Sequence, residues 1–167
     1  MTPRQDPTLR LATPADVREV LRLMRGLADY ERLANEVTAT EVDLHQAMFG
    51  PTPRIHAILA EVEGAPVGFA LFYYTFNTFR ARTNIFLEDL FVEHAHRGAG
   101  IGIALMQYLA QRAVAEKCGR IEWRVLNWNQ SAIEFYQRLG AEPIDDWHTR
   151  QLGGDALISL SKGNRHG

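Results

Sequence analysis

The chain has 167 residues, 46% of them hydrophobic and 23% charged, a length and balance that suit one globular domain with a sizeable core and argue against disorder. Its 18 Lys and Arg against 20 Asp and Glu leave a formal charge of -2, so electrostatics give no reason to expect nucleic acid. The single cysteine, Cys118, excludes an internal disulfide framework and a thiolate-rich metal cage.

Met1 to Thr8 is polar and carries no signal-peptide core. Leu9 to Ala12 predicts a short first strand, and Thr13-Pro14-Ala15-Asp16 a helix start, with Thr13 as cap and Pro14 at the first helical position. Val17, Val20, Leu21, Met24 and Ala28 then follow at helical spacing. A second helix begins at the Thr40–Asp43 capping pattern and ends at Gly50. From Ile55 to Thr75 the pattern is that of two strands turning at Glu63-Gly64; Asn77 to Arg82 reads as a loop and Ile85 to Val92 as another strand. A glycine-rich loop, Arg97 to Gly102, runs into a helix with Ile101, Leu105, Tyr108 and Leu109 on its apolar stripe and Gly119 placed to end it. Ile121 to Leu126 predicts a strand and Ser131 to Leu139 a helix closed by Gly140. Segments around Thr149–Leu152 and Leu157–Leu160, flanking Gly153-Gly154, suggest a final hairpin, and the tail from Lys162 a frayed end. No apolar run is long enough for a membrane span. The expectation is a single mixed α/β domain over 1–167, with its core at about 8–160, in the cytoplasm.

Three features carry chemistry. In Arg97-Gly98-Ala99-Gly100-Ile101-Gly102 the glycines let backbone N–H groups converge on one concavity, and the following helix aims its positive end there. That suits a phosphate or pyrophosphate; a ligand-free turn has the same composition. The spacing matches neither a dinucleotide fingerprint nor a P-loop. Second, Leu87-Glu88-Asp89-Leu90-Phe91-Val92 sets two acids in an apolar strand. Adjacent strand residues point to opposite faces, so one acid should face the core unless the strand is bulged there. The other reading is an edge strand with two solvated acids. Third, Asn129 through Ala141 reads as a capped helix with the aromatic pair Phe135-Tyr136, stopped by Gly140; such a pair serves packing more often than catalysis.

In this order and spacing the three features resemble the GNAT superfamily of N-acetyltransferases. Arg97 to Gly102 is similar to its pyrophosphate loop, and Asn-x-x-(Ala/Ser)-x-x-Phe-Tyr to its late helix; the likeness runs from about Leu9 to Leu160. Within it, Leu27-Ala28-Asp29-Tyr30-Glu31, Leu87 to Val92 and Trp128-Asn129 through Ala141 look most like the diamine group, which acetylates spermidine, spermine or thialysine. The resemblance implies a mostly antiparallel twisted sheet splayed between two central parallel strands and flanked by helices. It implies acetyl-CoA as donor, a small amine as acceptor, direct transfer in a ternary complex, and a homodimer, without metal, membrane or nucleic acid. It further implies Tyr136 as the acid that protonates departing coenzyme A and Glu88 as the base, through water. Asp89 and Glu31 would lie near the amine. Leu90, Val92, Arg97, Gly98, Ala99, Gly100, Ile101, Gly102, Asn129 and Tyr136 would meet the cofactor.

An aliphatic amine, with a pKa of roughly 10, arrives protonated and must lose a proton before attack. Glu88 is suited to that, and the neighbouring acids attract the cation. The Leu90 N–H of a splayed strand is a candidate oxyanion donor. His94 and His96 stand on a polar connection, where two histidines make a weak metal case. Arg80 and Arg82 read as a solvated loop or as groups steering phosphates, and Trp123, Trp128 and Trp147 as packing residues. Arg32-Leu33-Ala34-Asn35-Glu36 is less acidic than capture of a long polyamine asks for, which leaves shorter diamines and thialysine-like amino acids open. The rival readings are acetylation of a protein N-terminus or lysine, and an acyl-CoA-binding module without catalysis.

Overall fold

A computed structural model describes residues 6–146 and 148–163; Trp147, the first residues of the N-terminal stretch and the end of the tail lie outside the described residues. The contacts divide the chain into two units, the first ending at Arg124 and the second beginning at Val125.

The first unit is a five-stranded sheet in the order β1 (Thr8–Leu11), β2 (His56–Val62), β3 (Ala65–Asn77), β4 (Arg82–Val92) and β5 (Ile121–Trp123). The first four are antiparallel neighbours, with short turns joining β2 to β3 and β3 to β4 and two helices lying between β1 and β2 along the chain; β5 runs parallel to β4 and needs a helical crossover. That crossover is α3 (Ile101–Ala115). The alternation of β2 and β3 fills both sides of the sheet. On one side Ala57, Leu59, Phe69, Leu71 and Phe91 pack with Val20 and Leu23 of α1 (Val17–Tyr30) and Met48 of α2 (Glu41–Phe49). On the other, Phe72 and Tyr74 meet Arg112 of α3, whose guanidinium lies 5.5 Å from the Phe72 ring centroid and donates to the Tyr74 hydroxyl at 2.9 Å. With about 25 cal/mol stabilisation per Å² of apolar area removed from water, two such layers are what hold a sheet of this size.

Local chemistry sets the helix ends. Thr13 opens a single 3-10 turn, Pro14–Asp16, whose Asp16 carboxylate accepts from the Thr13 N–H at 2.7 Å before α1 begins. Asp16 also receives Arg10 at 2.7 Å, and the same guanidinium reaches Glu61 at 2.6 Å, tying β1, β2 and the helix start together. Those hydrogen bonds hold the Asp16 carboxyl well below the usual carboxylate range. Thr40 and Asp43 form the expected reciprocal cap of α2. Past α3, Gly119 is a turn residue rather than the helix end: the helix stops at Ala115, and Lys117 adopts the left-handed φ of 57°.

In the second unit Asn129 caps α4 (Gln130–Arg138) by accepting from the Ala132 N–H at 3.3 Å. Gly140, at φ 83°, closes it, with the Gly140 and Ala141 N–H groups donating to Gln137 and Tyr136. The expected final hairpin is absent. Residues 149–152 form no strand, and α5 (Gly154–Ser161) occupies the place of the second segment. A short apolar run such as Ala156-Leu157-Ile158 satisfies both periods, and here the helix prevails. The strand expected over Ile121 to Leu126 is likewise shorter, ending at Trp123.

Gly68 of β3 lies against β4 with no room for a side chain. A Cβ there would lie 2.9 Å from the Phe91 carbonyl oxygen and 3.2 Å from Val92 Cγ2. Gly68→Ala should therefore force the two strands apart and destabilise the fold by about 1–3 kcal/mol, read as a lower midpoint in urea with an unchanged slope. A midpoint equal to the wild type would mean the strands yield without cost.

Candidate functional site

The glycine loop is built as the residue order requires. Gly98 and Gly100 take left-handed φ values of 77° and 91°, which glycine reaches without strain. A Cβ on Gly100 would meet no protein atom within 4 Å, so the concavity is open on that side. Ala99 and Ile101 anchor the loop by their buried side chains, and the first amides of α3 at Ile101, Gly102 and Ile103 have no intrahelical acceptor. Arg97 turns away from this concavity. Its Nε donates to the Val92 carbonyl at 2.9 Å, and its guanidinium lies 4.4 Å from the Tyr30 ring centroid and 5.5 Å from that of Phe91. The side chain braces the loop against the end of α1, and the backbone is left to face an anion.

The acids owe their placement to an irregularity in β4. Leu71 pairs with Asp89 and Phe72 with Leu87, so Glu88 is an extra residue without a partner on β3. The bulge cancels the alternation that would have sent the two carboxylates to opposite faces. Asp89 stands on the α1 side with Leu71, and Glu88 lies close enough to Tyr73, two residues along the same face of β3, for its charge to act on that hydroxyl. Glu31, at the end of α1, completes the group. Burial first, then the charges of Glu88 and Glu31, pushes the Asp89 carboxyl up to about 6; burial also raises that of Glu31. Glu88 is more exposed and is held by Arg124, whose Nη2 lies 3.2 and 3.3 Å from its two oxygens.

β5 pairs with β4 only from Ile85 to Leu87. From Glu88 to Val92, among the described residues, the β5-facing edge of β4 has no strand neighbour, and, the Val92 carbonyl apart, its polar backbone groups are without a strand partner on that side. Leu90 and Val92 lie on that stretch. An open strand edge leading from paired acids to a glycine loop at a helix start fits an elongated phosphorylated thioester such as acetyl-CoA.

The structure thus brings Glu31, Glu88, Asp89, Leu90, Val92 and the Arg97–Gly102 loop into one unit. Tyr136 and Asn129 belong to the other. There Asn129 is buried, and its side-chain oxygen is engaged by Ala132 and Ser131; Tyr136 meets Phe135 edge to face, with ring centroids 5.1 Å apart. Arg124, Tyr73 and Tyr30 escaped sequence reasoning. Arg124 reaches Glu88 through the parallel register of β4 and β5, which no local pattern announces. His94 and His96 form a 3-10 turn, and among the described residues no group of three or more His, Cys, Asp or Glu could hold a metal ion.

The raised Asp89 pKa makes a stability prediction. Above pH 6 the carboxyl is ionised in both states and the folded state bears the cost; below about pH 4 it is protonated in both and the cost is gone. Asp89→Asn never carries that charge. It should melt several degrees above the wild type at pH 7.5, and the gap should close as pH falls toward 4. A gap independent of pH would show that the charge is not the cause.

The chain matches the Acetyltransferase (GNAT) family over residues 20–141. It is 35% identical to a thialysine N-epsilon-acetyltransferase of Bos taurus, covering 92% of this chain and 96% of that protein. It is 29% identical to an L-ornithine N5-acetyltransferase of Arabidopsis thaliana, covering 93% and 88%. Among solved structures, an integron cassette protein from V. cholerae superposes with a TM-score of 0.79 at 26% identity, over 93% of this chain and 98% of that one. Glycine loop, bulged strand and family match agree: the chain belongs to the GNAT family of acetyltransferases.

Proposed function

We propose that this acetyltransferase moves an acetyl group from acetyl-CoA to a primary amine of a small, doubly charged acceptor, a short diamine or a basic amino acid, by direct transfer in a ternary complex. The observation that carries this reading is the bulge, which gathers Glu88, Asp89 and Glu31 on one face beside the open edge of β4. Acetyl-CoA supplies the activated acetyl thioester. The loop amides from Gly98 to Gly102 hold its pyrophosphate, and the Leu90 N–H faces the carbonyl oxygen where charge develops. Asp89 and Glu31 attract the ammonium group. Glu88 receives its proton through water, while Arg124, 3.2 Å away, orients that carboxylate. Tyr136 donates a proton to the leaving thiolate. The names of the thialysine and ornithine relatives support a basic amino acid as acceptor. A homodimer and a cytoplasmic location belong to the same proposal and rest on the resemblance and on composition.

Measuring thiol release from acetyl-CoA with diamines, monoamines, basic amino acids and short peptides tests the assignment. Diamines or basic amino acids should exceed monoamines and peptides in kcat/KM by at least about tenfold, the effect of one lost charge contact. For the best acceptor, kcat/KM should climb as pH rises through about 6, where Asp89 ionises. Turnover confined to peptides would replace this reading with protein acetylation, and no turnover at all would leave a binding module.

Tyr136→Phe keeps the ring against Phe135 and removes the hydroxyl. General acid catalysis contributes ~10²–10⁴-fold, so kcat should fall by that order while acetyl-CoA affinity and melting temperature stay near wild type. A fall of less than about tenfold, with a lower melting temperature, would assign the hydroxyl to packing instead.

A further inference from the structure

The end of β4 remote from the glycine loop carries a second concavity. It is a cavity of about 430 Å³ lined by Asn77, Arg80, Arg82, Asn84, Gly119 and Arg120. Along β4, Arg82 stands roughly 30 Å from Val92 at about 3.3 Å per residue, so the cavity is separate from the proposed acetyl-CoA path. Its lining is built rather than incidental. Asn77 pairs with Arg82 and Thr75 with Asn84 across β3 and β4, which puts these four side chains on one face of the sheet. The turn between the strands supplies Arg80, whose N–H donates to the Asn77 side chain at 3.1 Å, and Ala81 holds the turn at φ 48°. The α3–β5 connection is fastened alongside by the Gly119 N–H donating to Thr83 and the Ile85 N–H donating to Arg120. Gly119 keeps the wall open, since a Cβ there would lie 2.8 Å from Asn84 Oδ1.

The charge of the lining defines its ligand. Arg120 is paired with Glu122 at 2.7 Å, and the same carboxylate accepts from Asn84 Nδ2 at 3.4 Å. No carboxylate among the described residues pairs with Arg80 or Arg82, which leaves two guanidinium charges uncompensated over one cavity. Like charges held together without a counter-charge cost stability, so a bound anion relieves the arrangement. Asn84 is only 4% exposed, and next to it Thr75 Oγ1 is buried without a hydrogen-bond partner. Buried polar atoms of this kind, rimmed by forked donors, are complementary to a group with several acceptor oxygens. We propose that this cavity binds a dianionic phosphate group, with Arg80 and Arg82 on its oxygens and Asn77, Asn84 and Arg120 beneath. A phosphate monoester, at about -1.5 to -2 at neutral pH, matches the two unpaired cations.

Calorimetric titration of the intact protein with inorganic phosphate and with glycerol phosphate, at constant ionic strength in chloride, tests the site. Both titrations are repeated with saturating acetyl-CoA. At least one probe should bind with a Kd of about 1 mM or below, unaffected by acetyl-CoA. The Arg80→Gln and Arg82→Gln variants should each weaken it by at least about tenfold, the effect of losing a charge-assisted contact. Both side chains are exposed, so the variants should fold; matching melting curves in chloride verify that, and Arg120→Gln serves as a third variant if one does not. Tighter binding of the ester identifies a phosphomonoester ligand and tighter binding of inorganic phosphate the free anion, and either outcome supports the site. No binding of either probe, binding displaced by acetyl-CoA, or binding indifferent to the arginine substitutions would overturn it.

Discussion

One extra residue in β4 organises the chemistry of this protein. A regular strand would send Glu88 and Asp89 to opposite sides of the sheet, one of them toward α3 among Phe72, Ile85 and Leu87. A lone carboxylate in such a layer would be costly. The bulge avoids that cost by turning both acids to the α1 side, where Glu31 and Tyr73 already stand. It marks the point beyond which β4 loses β5 as a neighbour, so paired acids and an open strand edge arise together.

The surroundings divide the labour between the two acids. Asp89 is desolvated and lies near two other negative charges, which lifts its pKa to about 6 and sets up a site that gains by receiving a cation. Glu88 is partly exposed, and its carboxylate lies 3.2 Å from the Arg124 guanidinium. The bulge thus gives two neighbours on one face of the sheet different surroundings, Asp89 buried near other carboxylates and Glu88 exposed beside a cation.

Arg97 links the two halves of the site in the first unit. Its guanidinium under Tyr30 joins the end of α1, which carries Glu31, to the glycine loop, and its bond to Val92 fixes that loop to β4. The charged side chain of the loop motif is engaged with Val92 and Tyr30, and the donors of the loop itself are backbone N–H groups. Such donors are already oriented and lose no side-chain entropy on binding.

Much of this could be read in the residues themselves. The caps at Thr13 and Thr40, the turn at Glu63-Gly64, the glycine loop ahead of α3 and the Gly140 stop are local, because each depends on interactions within a few residues. The acid pair is visible in the sequence as an anomaly in an apolar strand, and a bulge is what lets both acids avoid opposite faces. Sequence could not supply what depends on pairing across the sheet. Register decided that Glu88 is the unpaired residue, that Arg124 reaches it from just past β5, and that Thr75, Asn77, Arg82 and Asn84 share one face. The final segment shows the same boundary from the other side. Leu157 to Leu160 is a short apolar run compatible with either period, and the hairpin expected there is the helix α5. Local hydrogen bonding wrote the caps, turns and loop into the order of residues, whereas register and burial exist only once distant strands have met.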